Sequence, residues 1–375
     1  MQRLTRLLQS RRTMGVIAIG AIGLVALSAG LLRLLPLGER STTGVPCIVF
    51  AVFGQTSDIL YVAPATKPDE RTIIDTVPHA EGWGLNPAPM YDSLVAYNVI
   101  PSGVAARGVP AELWLMNVTT KEKTRLARDA DLLVRPQFVN NGRAILYRRS
   151  DGDLQSVVRV DIDTQARTVV HEEHTAFGIF PIGNDASGNL VFARLSKGGT
   201  DVFTKHGADE PTLAFHASDE IAHDWQMSPD AKSIAFLSPE SRAERVVYRA
   251  SVVSMHGGRS VALPKTDGTG EQYGPIWTPD GLDLTVGQEP QASASASVML
   301  LRSGATSTGL TAPSRGFDVP VAWSANGTYL AARTFDGKNS TDTGRESAVV
   351  IARSGERYAV SAPGEVIFVG WLPNA

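Results

Sequence analysis

One cysteine, Cys47, stands in 375 residues, so the chain holds no internal disulfide framework. A domain above about 300 residues buries roughly 75% of its unfolded surface and needs no such staples. Cys47 falls in an apolar strand and reads as a small buried residue. Charge of one sign is also lacking. Lys and Arg number 35 against 38 Asp and Glu, a net charge of −3. The first 45 residues carry +5, which leaves −8 on the rest. That balance argues against nucleic acid, which demands a basic face, and against electrostatic docking on anionic lipid.

Catalytic signatures are equally scarce. No Gly-x-Ser-x-Gly elbow occurs, and the stretch Gly304 to Gly309 is one residue out of frame. Gly268-Thr269-Gly270 meets its next glycine only at Gly274, too late for a dinucleotide fingerprint. Asp151-Gly152-Asp153 and Asp161-Ile162-Asp163 lack the density of a calcium loop. His171-Glu172-Glu173-His174 is the one close histidine pair. On a helix it could present two zinc ligands, but it follows Thr168-Val169-Val170 and reads as a solvated loop between repeats. No catalytic, cofactor or metal residue is therefore assigned.

What the sequence does have is a repeated phrase: an apolar strand, a polar turn, then a second apolar strand. The clearest copies are Trp225 to Phe236, Ile276 to Gly287 and Ala322 to Arg333. Weaker ones are Gly84 to Tyr97, Gln137 to Arg148 and Pro181 to Arg194, and a last copy stops at Ala375. The residue before each turn is Leu85, Phe138, Ile182, Met227, Trp277, Trp323 or Trp371, at spacings of 53, 44, 45, 50, 46 and 48 residues. Hairpin patterns such as Glu112 to Ala127, Val157 to Val170 and Val349 to Val360 fill the intervals. Each period thus holds four strands, the signature of a propeller blade. The last copy has only an innermost strand, and three further strands appear at Cys47 to Phe53, Asp58 to Pro64 and Glu70 to Val77. The predicted fold is all-β: a seven-bladed β-propeller of four-stranded antiparallel blades, its ring closed by N- and C-terminal strands in one blade and preceded by a single transmembrane helix.

On the residues Met227 to Ala231, Trp277 to Gly281 and Trp323 to Gly327, the chain resembles the TolB-type, WD-repeat-like propeller repeat of bacterial envelope proteins. The resemblance covers residues 46–375. It implies the fold and says little of activity, since propellers host many functions. Two repeats depart from the pattern, one at Pro87 and Pro89, the other stretched at Asn184 to Gly188. The repeated Trp and Asp residues read as structural, packing between blades and holding turns.

Residues 14–32 contain no charged side chain, a length that spans a bilayer core. Arg3, Arg6, Arg11 and Arg12 precede them, which predicts a cytoplasmic N-terminus and an exported propeller. The expected organisation is a basic segment at 1–13, a signal-anchor helix at 14–32, a linker at 33–45 and the propeller at 46–375. The alternative is secretion after cleavage at Ser28-Ala29-Gly30.

Loops entering the innermost strands open around the axial channel. They hold Glu81, Arg135, Phe177, His223, Asp224, Tyr273, Phe317 and Asp318. Of these, Arg135, His223, Asp224, Tyr273 and Asp318 are the expected partner-binding residues. The expected function is a non-catalytic, membrane-tethered scaffold in the cell envelope that holds a protein or peptide. The alternative is an envelope enzyme with an axial metal, of lyase, cyclase or lactonase type.

Overall fold

The computed structural model describes residues 44–373, apart from 106–107, 243–244, 262, 264–269, 291–297, 303–304 and 308–309. Every regular element in it is a strand. β1 (Cys47–Val52), β2 (Ser57–Pro64) and β3 (Thr72–Pro78) come first. β4 (Asn86–Pro87), β5 (Leu94–Val99), β6 (Ala111–Asn117) and β7 (Lys123–Ala130) form the next sheet. β8 (Gln137–Val139), β9 (Ala144–Asp151), β10 (Leu154–Asp161) and β11 (Arg167–His174) form another. Then come β12 (Ile179–Asn184), β13 (Leu190–Ser196), β14 (Gly199–Lys205) and β15 (Thr212–Ser218). A fourth set is β16 (His223–Met227), β17 (Ser233–Arg242), β18 (Arg245–Ser254) and β19 (Ser260–Val261). β20 (Gln272–Trp277), β21 (Leu284–Gln288), β22 (Val298–Arg302) and β23 (Ala305–Ser307) follow. β24 (Phe317–Trp323), β25 (Tyr329–Phe335), β26 (Glu346–Ala352) and β27 (Arg357–Val360) complete the sets of four.

The final strand, β28 (Val366–Leu372), pairs antiparallel with β1, from Cys47 opposite Leu372 to Val52 opposite Val366. The described strands therefore make seven four-stranded antiparallel sheets, one of them built from both ends of the chain. Their cores lie between sheets. Val49 and Leu60 share one with Val95 and Tyr97, Leu113 with Ile145 and Tyr147, and Leu146 and Val157 with Phe192 and Phe203. Val191 packs with Ile234 and Phe236, Ala235 with Leu284 and Val286, and Ile276 with Trp323 and Leu330. Val350 and Val360 then pack on Ile48 and Phe50, so the last sheet meets the first and the ring closes. Because both faces of each sheet are covered, β1 and β21 are buried at almost every position instead of alternating. Each fully buried aliphatic side chain contributes about 1.5–3 kcal/mol.

The repeated phrase is a turn held by its own side chains. The hydroxyls of Ser228, Thr278 and Ser324 accept from the backbone N–H of Ser233, Asp283 and Tyr329, at 2.9, 3.0 and 3.0 Å. Each donates to Oδ1 of Asp230, Asp280 or Asn326, at 2.7, 2.6 and 2.8 Å. The tryptophans reach back to the preceding sheet. Trp277 Nε1 donates to the Gln226 carbonyl at 3.1 Å, Trp323 Nε1 to Thr285 Oγ1 at 2.8 Å and Trp371 Nε1 to the Ala322 carbonyl at 3.2 Å. In the first repeat the innermost strand β4 shrinks to two residues, because Pro87 and Pro89 supply no ladder donors. In the third, the stretch after Asn184 is a turn gathered by Asp185, whose Oδ1 accepts from the N–H groups of Ser187 and Asn189.

Two expectations are corrected. The fold class carried a transmembrane helix, but no helix among the described residues is long and apolar enough to cross a membrane. The described elements are strands throughout; residues 14–32, with the segment expected at 1–13 and residues 33–43 of the linker expected at 33–45, lie outside the described residues. The compact unit in view spans Gly44–Ala375. The second correction concerns His171 to His174, which is the end of strand β11 and not a loop. Its register opposite Val157 to Leu154 alternates, so His171 and His174 point to opposite faces and cannot share a metal ion.

Candidate partner-binding face

Each outermost strand returns to the next innermost strand through a connection on one face of the ring, here called the entry face. The repeated turns lie at the other end of the innermost strands. Since β1 runs antiparallel to β28 with Cys47 opposite Leu372, the chain enters the ring at that opposite end.

The entry face positions its groups by strand irregularities. In β16 the ladder shifts register between His223 and Gln226, and Asp224 sits there in the left-handed region at φ +57°. The same shift in β20 between Tyr273 and Ile276 carries Gly274, at φ +48°. A Cβ on Gly274 would lie 2.6 Å from the Pro320 carbonyl oxygen, so glycine is required there. At 224 the chain instead keeps a charged residue in a conformation that costs an L-residue about 1–2 kcal/mol, although Asp tolerates it better than most. His223 Nδ1 lies 3.3 Å from Asp224 Oδ1, and the His223 ring meets Tyr248 with centroids 4.4 Å apart.

Arg135 precedes β8 in the connection 131–136 and is exposed. The protein around its guanidinium pushes its pKa below the ordinary arginine value, while Asp224 from β16 pulls the other way. Asp224 also acts on Arg333 of β25, whose pKa is raised chiefly by its hydrogen bond to Glu346, with Glu365 contributing. The charge of Asp224 thus acts on cations of two other sheets.

The other two expected residues are placed differently. Asp318 is fully buried and accepts two hydrogen bonds from Arg357 at 2.8 and 2.9 Å. Tyr273 is buried and stacks on Phe317 with centroids 4.7 Å apart, and Phe317 stacks in turn on Phe335 at 5.2 Å. Burial, then the charges of Glu271 and Glu289, push the Tyr273 hydroxyl well above its ordinary pKa. Around it, Ser340 donates to Glu271, Arg245 pairs with Glu289, and Glu289 Oε2 accepts from the Glu271 N–H at 2.9 Å. This network ties together three neighbouring sheets. The structure therefore places Arg135, His223 and Asp224 on the entry face and builds Tyr273 and Asp318 into contacts between sheets. Of the remaining loop residues, Phe177 and Glu81 are exposed and Phe317 is buried.

Sequence reasoning missed Trp83, Leu133 and Ile221, which are exposed in the connections 79–85, 131–136 and 219–222. Their signal was a large apolar residue inside a short, otherwise turn-like stretch. It also missed a buried pair, Asp58 with His79, at 3.1 Å. Asp58 accepts from the Leu85 N–H at 2.7 Å and so fixes the first connection. Among the described residues no three His, Cys, Asp or Glu side chains gather in a way that could hold a metal ion.

No family model matches the chain, and no curated protein matches it. Solved structures do. The chain is similar to TolB from Acinetobacter baumannii at 14% identity and a TM-score of 0.51, covering 88% of this chain and 69% of that one. It is similar to an oligogalacturonate lyase from Vibrio parahaemolyticus at 11% identity and a TM-score of 0.55, covering 84% of each. A prolyl endopeptidase structure matches at 12% identity and a TM-score of 0.56, over 87% of this chain and 50% of that one. The shared property is architecture: this chain is a TolB-like β-propeller.

Proposed function

We propose that this propeller is a non-catalytic binding scaffold that holds a protein or peptide at the entry-face mouth of its channel. The observation that carries the reading is Asp224. A charged residue kept in a left-handed conformation, where the equivalent position has glycine, is strain retained beside His223 and within electrostatic reach of Arg135. Exposed charges of mixed sign with an adjacent aromatic make a polar recognition surface. TolB is a propeller neighbour that suits the reading by analogy of fold.

The test is cross-linked partner capture with the full-length protein. Arg135→Glu, His223→Ala and Asp224→Gly are compared with Leu282→Asn, an exposed change in a turn at the opposite end. Capture should fall tenfold or more for the first three and stay unchanged for the fourth. The reverse pattern, or no partner for the unaltered protein, overturns the reading. A stoichiometric metal in the purified protein, lost in His223→Ala, would favour an envelope enzyme.

A further inference from the structure

Four successive connections on the entry face each expose one large apolar side chain. Trp83 lies in 79–85, Leu133 in 131–136, Phe177 in 175–178 and Ile221 in 219–222, with 42%, 76%, 49% and 57% of their surfaces exposed. Singly, exposed apolar residues need no explanation. Here they occupy equivalent connections between five consecutive sheets, so they form an arc on one face. The folded ring does not require them: the cores between sheets are filled by other residues. Apolar groups set among polar rims on one face mark a contact surface.

Charge says what the contact is. Carboxylates along this arc are mostly engaged by the protein's own arginine and histidine side chains. Asp131 pairs with Arg148 at 2.7 Å, Asp153 with His174 at 3.2 Å, Asp219 with His216 at 3.2 Å and Asp224 with His223 at 3.3 Å. Glu81 receives a hydrogen bond from Gln55. Arg135 is the one lysine or arginine in the four connections, and among the described residues it makes no ion pair within bonding distance. It lies two residues from Leu133 in the same connection. Glu220, exposed beside Ile221, repels an anion at the other end of the arc.

We propose that the Trp83–Leu133–Phe177–Ile221 arc binds an extended segment of a partner protein that presents apolar side chains and places a carboxylate on Arg135. The inference rests on the scaffold reading and specifies its partner. The apolar side chains supply affinity by leaving water, and the guanidinium, with two parallel N–H groups for one carboxylate, supplies orientation. A second copy of this chain is the competing occupant.

Labelled peptides titrated against the full-length protein by fluorescence anisotropy provide the test. The first is Gly-Gly-Phe-Leu-Ile-Glu with a free C-terminus. Its comparators are the amidated Gln-ended form, the amidated Lys-ended form, and Gly-Gly-Ser-Ser-Ser-Glu. The first should bind at least tenfold more tightly than the Lys-ended and Ser peptides. Arg135→Gln should remove its advantage over the Gln-ended form. Leu133→Ser and Phe177→Ser should weaken the anionic and neutral apolar peptides alike, by fivefold or more, with melting transitions unchanged. Tighter binding of the Lys-ended peptide, an unaltered preference in Arg135→Gln, or no binding of the first peptide overturns the proposal. So does a concentration-dependent dimer that Leu133→Ser abolishes. If partner capture is lost in the mouth variants yet intact in Leu133→Ser and Phe177→Ser, the scaffold reading survives and this one fails.

Discussion

Ala231 occupies a left-handed turn position at φ +55°, where the equivalent turns have Gly281 at +68° and Gly327 at +65°. The hydroxyl and carboxylate of Ser228 and Asp230 over-determine the turn and hold alanine there against its preference. Relieving about 1–2 kcal/mol of backbone strain, less the extra freedom glycine has when unfolded, leaves a net gain of up to about 1 kcal/mol for Ala231→Gly. Urea unfolding should show a higher midpoint at constant slope; a lower midpoint would contradict the turn geometry. His216 gives a second residue-level outcome. Its Nδ1 lies 2.8 Å from Asp201 and its Nε2 3.2 Å from Asp219, and the Asp201 hydrogen bond chiefly raises its pKa above the ordinary 6.5. The pairing stabilises fully below about pH 6.5 and is lost as pH rises through the raised folded value. Because the ring is exposed, the amount stays below about 1 kcal/mol. An NMR titration of His216 should give a midpoint above 6.5 that drops in Asp201→Asn, and a midpoint at or below 6.5 rules the pairing out.

Among the elements, the tryptophans of the repeated phrase act between sheets. Trp323 is buried, and its indole N–H bonds the hydroxyl of Thr285, itself fully buried in the preceding sheet. Trp323→Phe keeps most of the packing and removes that donor, at a cost of about 1–3 kcal/mol. A double-mutant cycle with Thr285→Val should return a coupling of about 1 kcal/mol; a coupling near zero would assign the indole to packing alone. This is also where the sequence was most readable. Phe138, Ile182, Met227, Trp277, Trp323 and Trp371 all fall within innermost strands, and Leu85 lies one residue before β4. Apolar periodicity and hydroxyl–carboxylate turns are local, so the chain shows them directly. Burial of loop residues is not local. Tyr273 and Asp318 looked like rim groups because nothing nearby in sequence reveals Phe317 or Arg357. His171 to His174 looked like a loop because its pairing partner, β10, leaves no mark on its own composition. The helix expected at 14–32 was read from hydropathy alone, a property of composition that says nothing of packing.

At the scale of the whole molecule, stability depends on closure. β28 supplies the innermost strand of the sheet whose other three strands are β1 to β3, and Phe368 and Trp371 pack on the cluster of Ile48, Phe50 and Val350. Trp371 also bonds the Ala322 carbonyl of the sheet before it. Deleting Glu365 to Ala375 therefore removes one ladder, leaves the N–H and C=O groups of β1 as an open apolar edge, and uncovers the flank of the last sheet. In a ring where each sheet is covered by two neighbours, that loss cannot be absorbed locally. The truncated chain should aggregate, or unfold at lower denaturant with a broadened transition, as read by light scattering and urea melts. Point changes in the same strand set the scale: Phe368→Ala, half-covered as it is, should cost less than the roughly 3–5 kcal/mol of a fully buried aromatic and leave the transition cooperative. A truncated protein that stays monomeric with an unchanged midpoint would show that the pairing of β28 with β1 does not hold the ring, and the closure argument would fall with it.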